Sequence, residues 1–260
     1  MTSLNNELRY NRQAILKIKR LFSLSPLNKR ITSLIVHGSC LYREVPDNGF
    51  TDIDLELILT KQMDDDYQTI KNILSQIKIK TELQLRYKSE IENSNNLIRT
   101  LGYKLFTFYG YANGICLIGD NIYQQLIKTL DSKQVKHGIL ISVQLAYKDY
   151  RKIYLNKNSV YMVNKNIMVF LLDILMYEGI LDYRKLGTEE YYTQGQNAYI
   201  PLFLKHFGKS FSVKDKIRLE NFVQFYKISE IYEPVFPVID KIALWFSNKV
   251  ATPKGETLGG

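Results

Sequence analysis

The sequence predicts an α+β fold. A small sheet flanked by helices occupies residues 1–128, an all-helical domain occupies 129–250, and 251–260 form a flexible tail. Three observations carry this expectation. Four short runs, Ile31–Val36, Ile53–Leu59, Lys78–Tyr87 and Gly114–Ile118, have the length, alternation and β-branched content of strands, and all lie in the first half. From Asp131 onward apolar residues recur at helical spacing. Gly187, Gly195, Gly208 and Pro234 punctuate that helical half.

Taken in order, Asn6–Phe22 carries Leu8, Ile15, Ile18 and Leu21 among basic residues, the stripe of an amphipathic helix. Ser23–Asn28, with Pro26, reads as a loop. Ile31–Val36 is a buried strand ending at Gly38. Pro46-Asp47-Asn48-Gly49 is turn chemistry, so the connector to Ile53 holds a short helix and a tight loop. Asp64-Asp65-Asp66 opens a helix to Gln76 as a solvated acidic cap, which suits a helix N-terminus better than a metal site does. On the third strand Glu82, Gln84 and Arg86 share one face and Leu83 and Leu85 the other. Ser94–Tyr109 fits helix or strand. Gly119-Asp120-Asn121 closes the fourth strand, with Asp120 as a helix cap. The helical half contains Ser132–Leu155, Val160–Gly179, Tyr199–Phe207, Val213–Ile228 and Pro237–Val250.

The chemistry concentrates between Leu34 and Thr60. Twelve residues separate Gly38-Ser39 from Asp52-Ile53-Asp54. On a strand, residues i and i+2 share a face, so Asp52 and Asp54 point the same way, about 7 Å apart at Cα. Two adjacent carboxylates repel unless a proton, a cation or open solvent relieves them. Hard oxygen ligands of this kind suit Mg²⁺, which takes one or two carboxylates together with substrate phosphates. Gly38 lets the backbone turn sharply and approach a ligand closely. A helix starting near Ser39 would add N–H groups and a hydroxyl for a phosphate.

This pattern, Val36-His37-Gly38-Ser39 followed by Thr51-Asp52-Ile53-Asp54-Leu55, resembles the nucleotidyltransferase superfamily of DNA polymerase beta type. Within it the chain is most similar to the small bacterial aminoglycoside nucleotidyltransferases. The resemblance extends to about Leu126 and implies a small mixed sheet, with Ser94–Tyr109 helical. It implies transfer of a nucleoside monophosphate, AMP by preference, from ATP or another NTP to an acceptor hydroxyl. Asp52 and Asp54 would hold one or two Mg²⁺ ions. Glu82 would be the third carboxylate, as base or metal ligand. Gly38 and Ser39 would grip the phosphates. The family often has an arginine soon after Gly-Ser; here it stands at Arg43, one position late. Glu56 shares the aspartate face but lies too deep, and Glu90 and Glu92 fall beyond the strand. His37 reads as packing.

Bulk composition restricts the rest. Cys40 and Cys116 cannot make a disulfide framework. No run of about 20 apolar residues is free of charge, and the N-terminus lacks a signal-peptide layout, so the expected setting is the cytoplasm, without a membrane. The net charge of +9, spread over both halves, favours anionic partners. The expected acceptor is a small molecule bound by the helical half, with Tyr147, Tyr150 and Tyr154 on one helix face as its contacts or as core. Lys148, Arg151 and Lys152 are phosphate contacts or a solvated face. A polycationic acceptor would need a local acidic cluster, such as Glu178, Asp182, Glu189 and Glu190, to offset the charge. The competing functions are nucleotidylation of an RNA 3′ end or of a protein, and a non-catalytic nucleotide-binding or toxin-neutralising module.

Overall fold

A computed structural model describes residues 8–44, 52–92, 108–156, 159–194, 198–227 and 230–251. The Pro46–Gly49 turn, most of Ser94–Tyr109 and the tail after Ala251 fall outside them. The chain forms two compact units, one of Met1–Gly138 with Asp182–Gly195, the other of Ile139–Leu181 with Gln196–Gly260. Residues 182–195, which sequence order places among the helices of the second half, therefore cluster with the sheet.

The sheet unit is built on β1 (Ile31–His37), β2 (Ile53–Leu59), β3 (Thr81–Tyr87) and β4 (Ile115–Gly119), in the order β3-β2-β1-β4. β1 is antiparallel to β2 and β4, whereas β2 and β3 are parallel, so the sheet is mixed. The crossover from β2 to β3 passes through α2 (Asp66–Leu74), and a short α3 (Lys88–Glu92) follows β3. Alternation along β2 decides which layer each side chain enters. Ile53, Leu55, Leu57 and Leu59 are all buried, packed with Ile15, Ile18 and Phe22 of α1 (Arg12–Leu24) and with Ile70 and Ile73 of α2. Burying each such side chain contributes about 1.5–3 kcal/mol. Asp54 and Glu56 point to the opposite side.

Of the triple aspartate, Asp64 and Asp65 are solvated at the helix start and Asp66 is not. Asp66 is fully buried, ion-paired to Arg30 at 2.5 Å, and accepts the Met63 N–H at 2.9 Å. An ion pair explains a buried carboxylate that a helix terminus alone does not. The cap after β4 is likewise one residue later than expected. Asn121, not Asp120, accepts the N–H groups of Tyr123 and Gln124 at the start of α4 (Ile122–Leu126).

The helical unit takes in part of α5 (Ser132–Leu155), together with α6 (Val160–Tyr177), α8 (Tyr199–Phe207), α9 (Val213–Lys227) and α10 (Phe236–Ala251); α7 (Glu189–Gln194) belongs to the sheet unit. α6 is long and apolar enough to cross a membrane, with mean hydropathy 1.4, but 61% of it is buried. It is the core helix of this unit. Its Asp173 is fully buried and accepts the Ser142 hydroxyl at 2.6 Å. Of the tyrosine stripe, Tyr150 is core packing and Tyr147 and Tyr154 are half-buried. Tyr147 and Tyr150 donate to Asp240 at 3.0 and 2.9 Å, Tyr154 donates to Glu233, and Tyr150 is only 2% exposed.

Candidate active site

The loop after β1 is held from three sides. Gly38 has φ 82°, the left-handed region, and a Cβ there would collide with Asp54 Oδ2. Only glycine lets the backbone lie against that carboxylate. The short helix of the connector is a single 3₁₀ turn, Ser39–Leu41. The turn is fastened by Asn11, whose amide donates to Cys40 O at 2.8 Å and Arg43 O at 2.9 Å. Arg43 donates from Nη2 to Ser39 Oγ at 3.0 Å while remaining exposed. The late arginine thus reaches the serine from its displaced position, four residues on. Cys40 is buried, donates to His37 O, and burial pushes its thiol up to about 12, so it is inert packing.

Register assembles the acids. Asp54 of β2 lies beside Glu82 of parallel β3 and opposite His37 of antiparallel β1. Asp52, Asp54 and Glu82 bring one carboxylate oxygen each to within 4.8 Å of one another, with the aspartates half-buried and Glu82 exposed. Three hard oxygen donors that close, beside a loop only glycine can form, fit a divalent cation. Glu90 is not among them; it accepts the Tyr87 N–H at 2.6 Å. His37 is buried with its ring edge-on to Tyr111 at 4.5 Å. Burial holds it down to about 3, so it is neutral and a poor base.

No protein-family model matches the chain, and no curated protein sequence matches it. Among solved structures, the spectinomycin adenyltransferase AAD(9) from Enterococcus faecialis, determined with ATP and spectinomycin, has a TM-score of 0.56 and 13% identity. The match covers 91% of this chain and 99% of that one. The fold is nucleotidyltransferase-like. At that identity the likeness is one of fold, so what each residue does must be argued from this chain's own geometry.

Beneath the triad the same sheet face carries a polar layer that the sequence did not reveal. Glu56 is fully buried, ion-paired to Arg86 at 2.8 Å, and accepts the Tyr123 hydroxyl at 2.6 Å. Tyr111 donates to Gln84 Oε1 at 2.7 Å. Burial raises Glu56 to about 7 against the pull of Arg86 and Tyr123. Glu56 lies deeper than Asp54, as the spacing implied, and it joins β2 to β3 and α4. Another unforeseen part is the segment 182–194. Tyr42 donates to Gly187 O at 3.1 Å and stacks on Tyr192 at 5.5 Å, and Asn113 donates to Arg184 O and Leu186 O. Gly187, at φ 80°, lies against Gly110, where a Cβ would collide. These partners lie up to 150 residues away in sequence, Tyr42 to Tyr192, which no local pattern could have announced.

Each of the four acids named for a polycationic acceptor has a cation beside it. Glu178 pairs with Lys249, Asp182 with Arg184, Glu189 with Arg9 and Glu190 with Lys185. Of the basic trio, Arg151 lies 3.8 Å from Asp240 and over the Tyr147 ring, and Lys148 and Lys152 line the same groove on α5.

Proposed function

We propose that this protein transfers a nucleoside monophosphate, AMP by preference, from an NTP to a hydroxyl of a small-molecule acceptor and releases pyrophosphate. The observation that carries the reading is the convergence of Asp52, Asp54 and Glu82 to within 4.8 Å beside the Gly38–Ser39 loop. The shared fold with an adenyltransferase solved with ATP supports it.

Phosphoryl-type transfer needs position and charge neutralisation more than covalent help from the protein. Gly38 and Ser39 hold the phosphates through backbone N–H groups and the hydroxyl, and Arg43 adds a cation at Ser39. Asp52, Asp54 and Glu82 would hold Mg²⁺, which, when bound, offsets the charge of the triphosphate. The acceptor oxygen attacks the α-phosphorus, its proton passes to Glu82, and the bond to the bridging oxygen of pyrophosphate breaks. Glu82 is the exposed member of the three, open to an incoming hydroxyl. The acceptor is assigned to the helical unit. Among the described residues no second acidic triad occurs there, so the nucleotide chemistry belongs to the sheet unit.

Incubation with labelled NTPs, Mg²⁺ and separate pools of metabolites, RNA and proteins tests the reading. Label entering the metabolite pool and absent with Asp54→Asn is the expected result. Label entering only RNA or protein assigns the acceptor to those classes, which the charge of +9 would favour. No label in any pool, with folded protein, refutes transfer.

A further inference from the structure

One cation shares the acidic site. Lys80 Nζ lies 3.1 Å from Asp52 Oδ2, with 65% of the lysine side chain exposed against 17% for the aspartate. Its main chain is fixed, because Lys80 O accepts the Ile53 N–H at 3.0 Å, immediately before the β2–β3 ladder begins with Ile53 beside Thr81. By alternation Lys80 falls on the face of Glu82, Gln84 and Arg86. The lysine therefore has an anchored root and a loose head, and its root stands beside three converging carboxylates.

We propose that Lys80 is the resident counter-cation of the acidic site, which a divalent metal must displace from Asp52 and which then moves to the triphosphate of the bound NTP. This inference rests on the transfer reading above. Three carboxylates within 4.8 Å repel one another, and a cation beside them relieves that repulsion. Before metal arrives, an ammonium on a flexible stem supplies it. A divalent ion is the stronger partner for Asp52, and the released ammonium is left facing a site that now receives phosphates. Metal alone must compete with Lys80, while metal arriving with a nucleotide offers Lys80 a new anion. Metal and nucleotide are thereby made to bind cooperatively without any change of fold. Lysine suits this because its ammonium is a compact charge on a long, rotatable stem.

The test measures Mn²⁺ binding to the full chain by electron paramagnetic resonance and calorimetry, alone and with a non-hydrolysable NTP analogue. It uses wild type, Lys80→Met and Lys80→Arg. Lys80→Met is expected to bind Mn²⁺ alone up to about fivefold more tightly, the range an exposed ion pair supports. It is expected to bind the Mn²⁺–analogue complex about tenfold more weakly, as for loss of one charged hydrogen bond. Lys80→Arg should follow wild type in both. The side chain is exposed, so its replacement leaves the core untouched, and Lys80→Gln, checked by melting temperature, repeats the measurement. Unchanged or weaker binding of Mn²⁺ alone in the Met and Gln variants overturns the proposal while leaving the metal site intact. Tighter binding of both metal and complex overturns the transfer of Lys80 to phosphate. Failure of wild type to bind Mn²⁺ at all refutes the metal reading itself, and this proposal with it.

Discussion

The sheet unit and the helical unit each bury a carboxylate completely, and they treat it differently. Glu56 has a cation, Arg86, and a tyrosine hydroxyl. Asp173 has only the Ser142 hydroxyl, and its Oδ1 has no hydrogen-bond partner among the described residues. Burial drives both up to about 7. In the sheet unit the acid is part of a network that ties β2, β3 and α4 together directly under Asp54 and Glu82. In the helical unit it joins α5 to α6 through that one hydrogen bond. A cation together with a second donor fixes the position of a buried carboxylate, whereas a single hydroxyl leaves it to rely on a proton.

The largest expected effect separates the units by activity. Asp54→Asn should fold normally and lose metal-supported turnover by about 10³-fold, comparable to removing a central electrostatic group elsewhere. A kcat near wild type would remove the site from the sheet unit. Next comes a pH effect. Asp173 has its folded pKa raised from 3.8 to about 7. The folded state then keeps a proton that the unfolded chain has lost, so the contribution of Asp173 to stability is greatest below about pH 4 and is lost as pH rises to about 7. A shift of that size corresponds to roughly 4 kcal/mol. Glu56 contributes a slope of the same sign. Urea melts of Asp173→Asn at pH 5 and pH 8 should show a smaller difference than wild type; an unchanged slope means Asp173 does not titrate in that window.

Arg86→Met strips the partner from Glu56 and should destabilise by about 3 kcal/mol at pH 8, with less at pH 5 where Glu56 is protonated. Equal losses at both pH values would show that Arg86 packs without pairing. The smallest effect is Ser39→Ala. The backbone amides of the loop remain, and one neutral hydrogen bond is worth about 0.5–1.5 kcal/mol, so the NTP KM should rise no more than about tenfold. Complete loss of turnover in a folded Ser39→Ala protein would give the hydroxyl a larger role than gripping phosphate.

Much of the frame was legible because it depends on local pattern. β2 runs from Ile53 to Leu59, as its alternation indicates, and α5 and α8 have the ends their periodicity predicts. The face of Lys80 was legible as well, two residues before Glu82 in the Lys78–Tyr87 run, but its pairing with Asp52 was not, because that depends on β2 lying beside β3. Asp66 was not legible. Whether a carboxylate at a helix start is solvated or buried depends on Arg30, 36 residues earlier. The segment 182–194 was least legible of all. Its place is set by Tyr42, Asn113 and the Gly110–Gly187 approach, each a meeting of distant residues.

The parallel pairing of β2 with β3 has one further consequence. Asp54 and Glu82 are neighbours only in the observed register. A slip of β3 by a single residue would turn Glu82 into the layer of Leu55 and Ile15 and bring Leu83 to the aspartates. The oily layer that α1 and α2 cover thus proofreads the acidic one. A chain that has hidden its leucines has, by the same act, aligned its carboxylates, and a misaligned chain leaves leucines on the face of the acids.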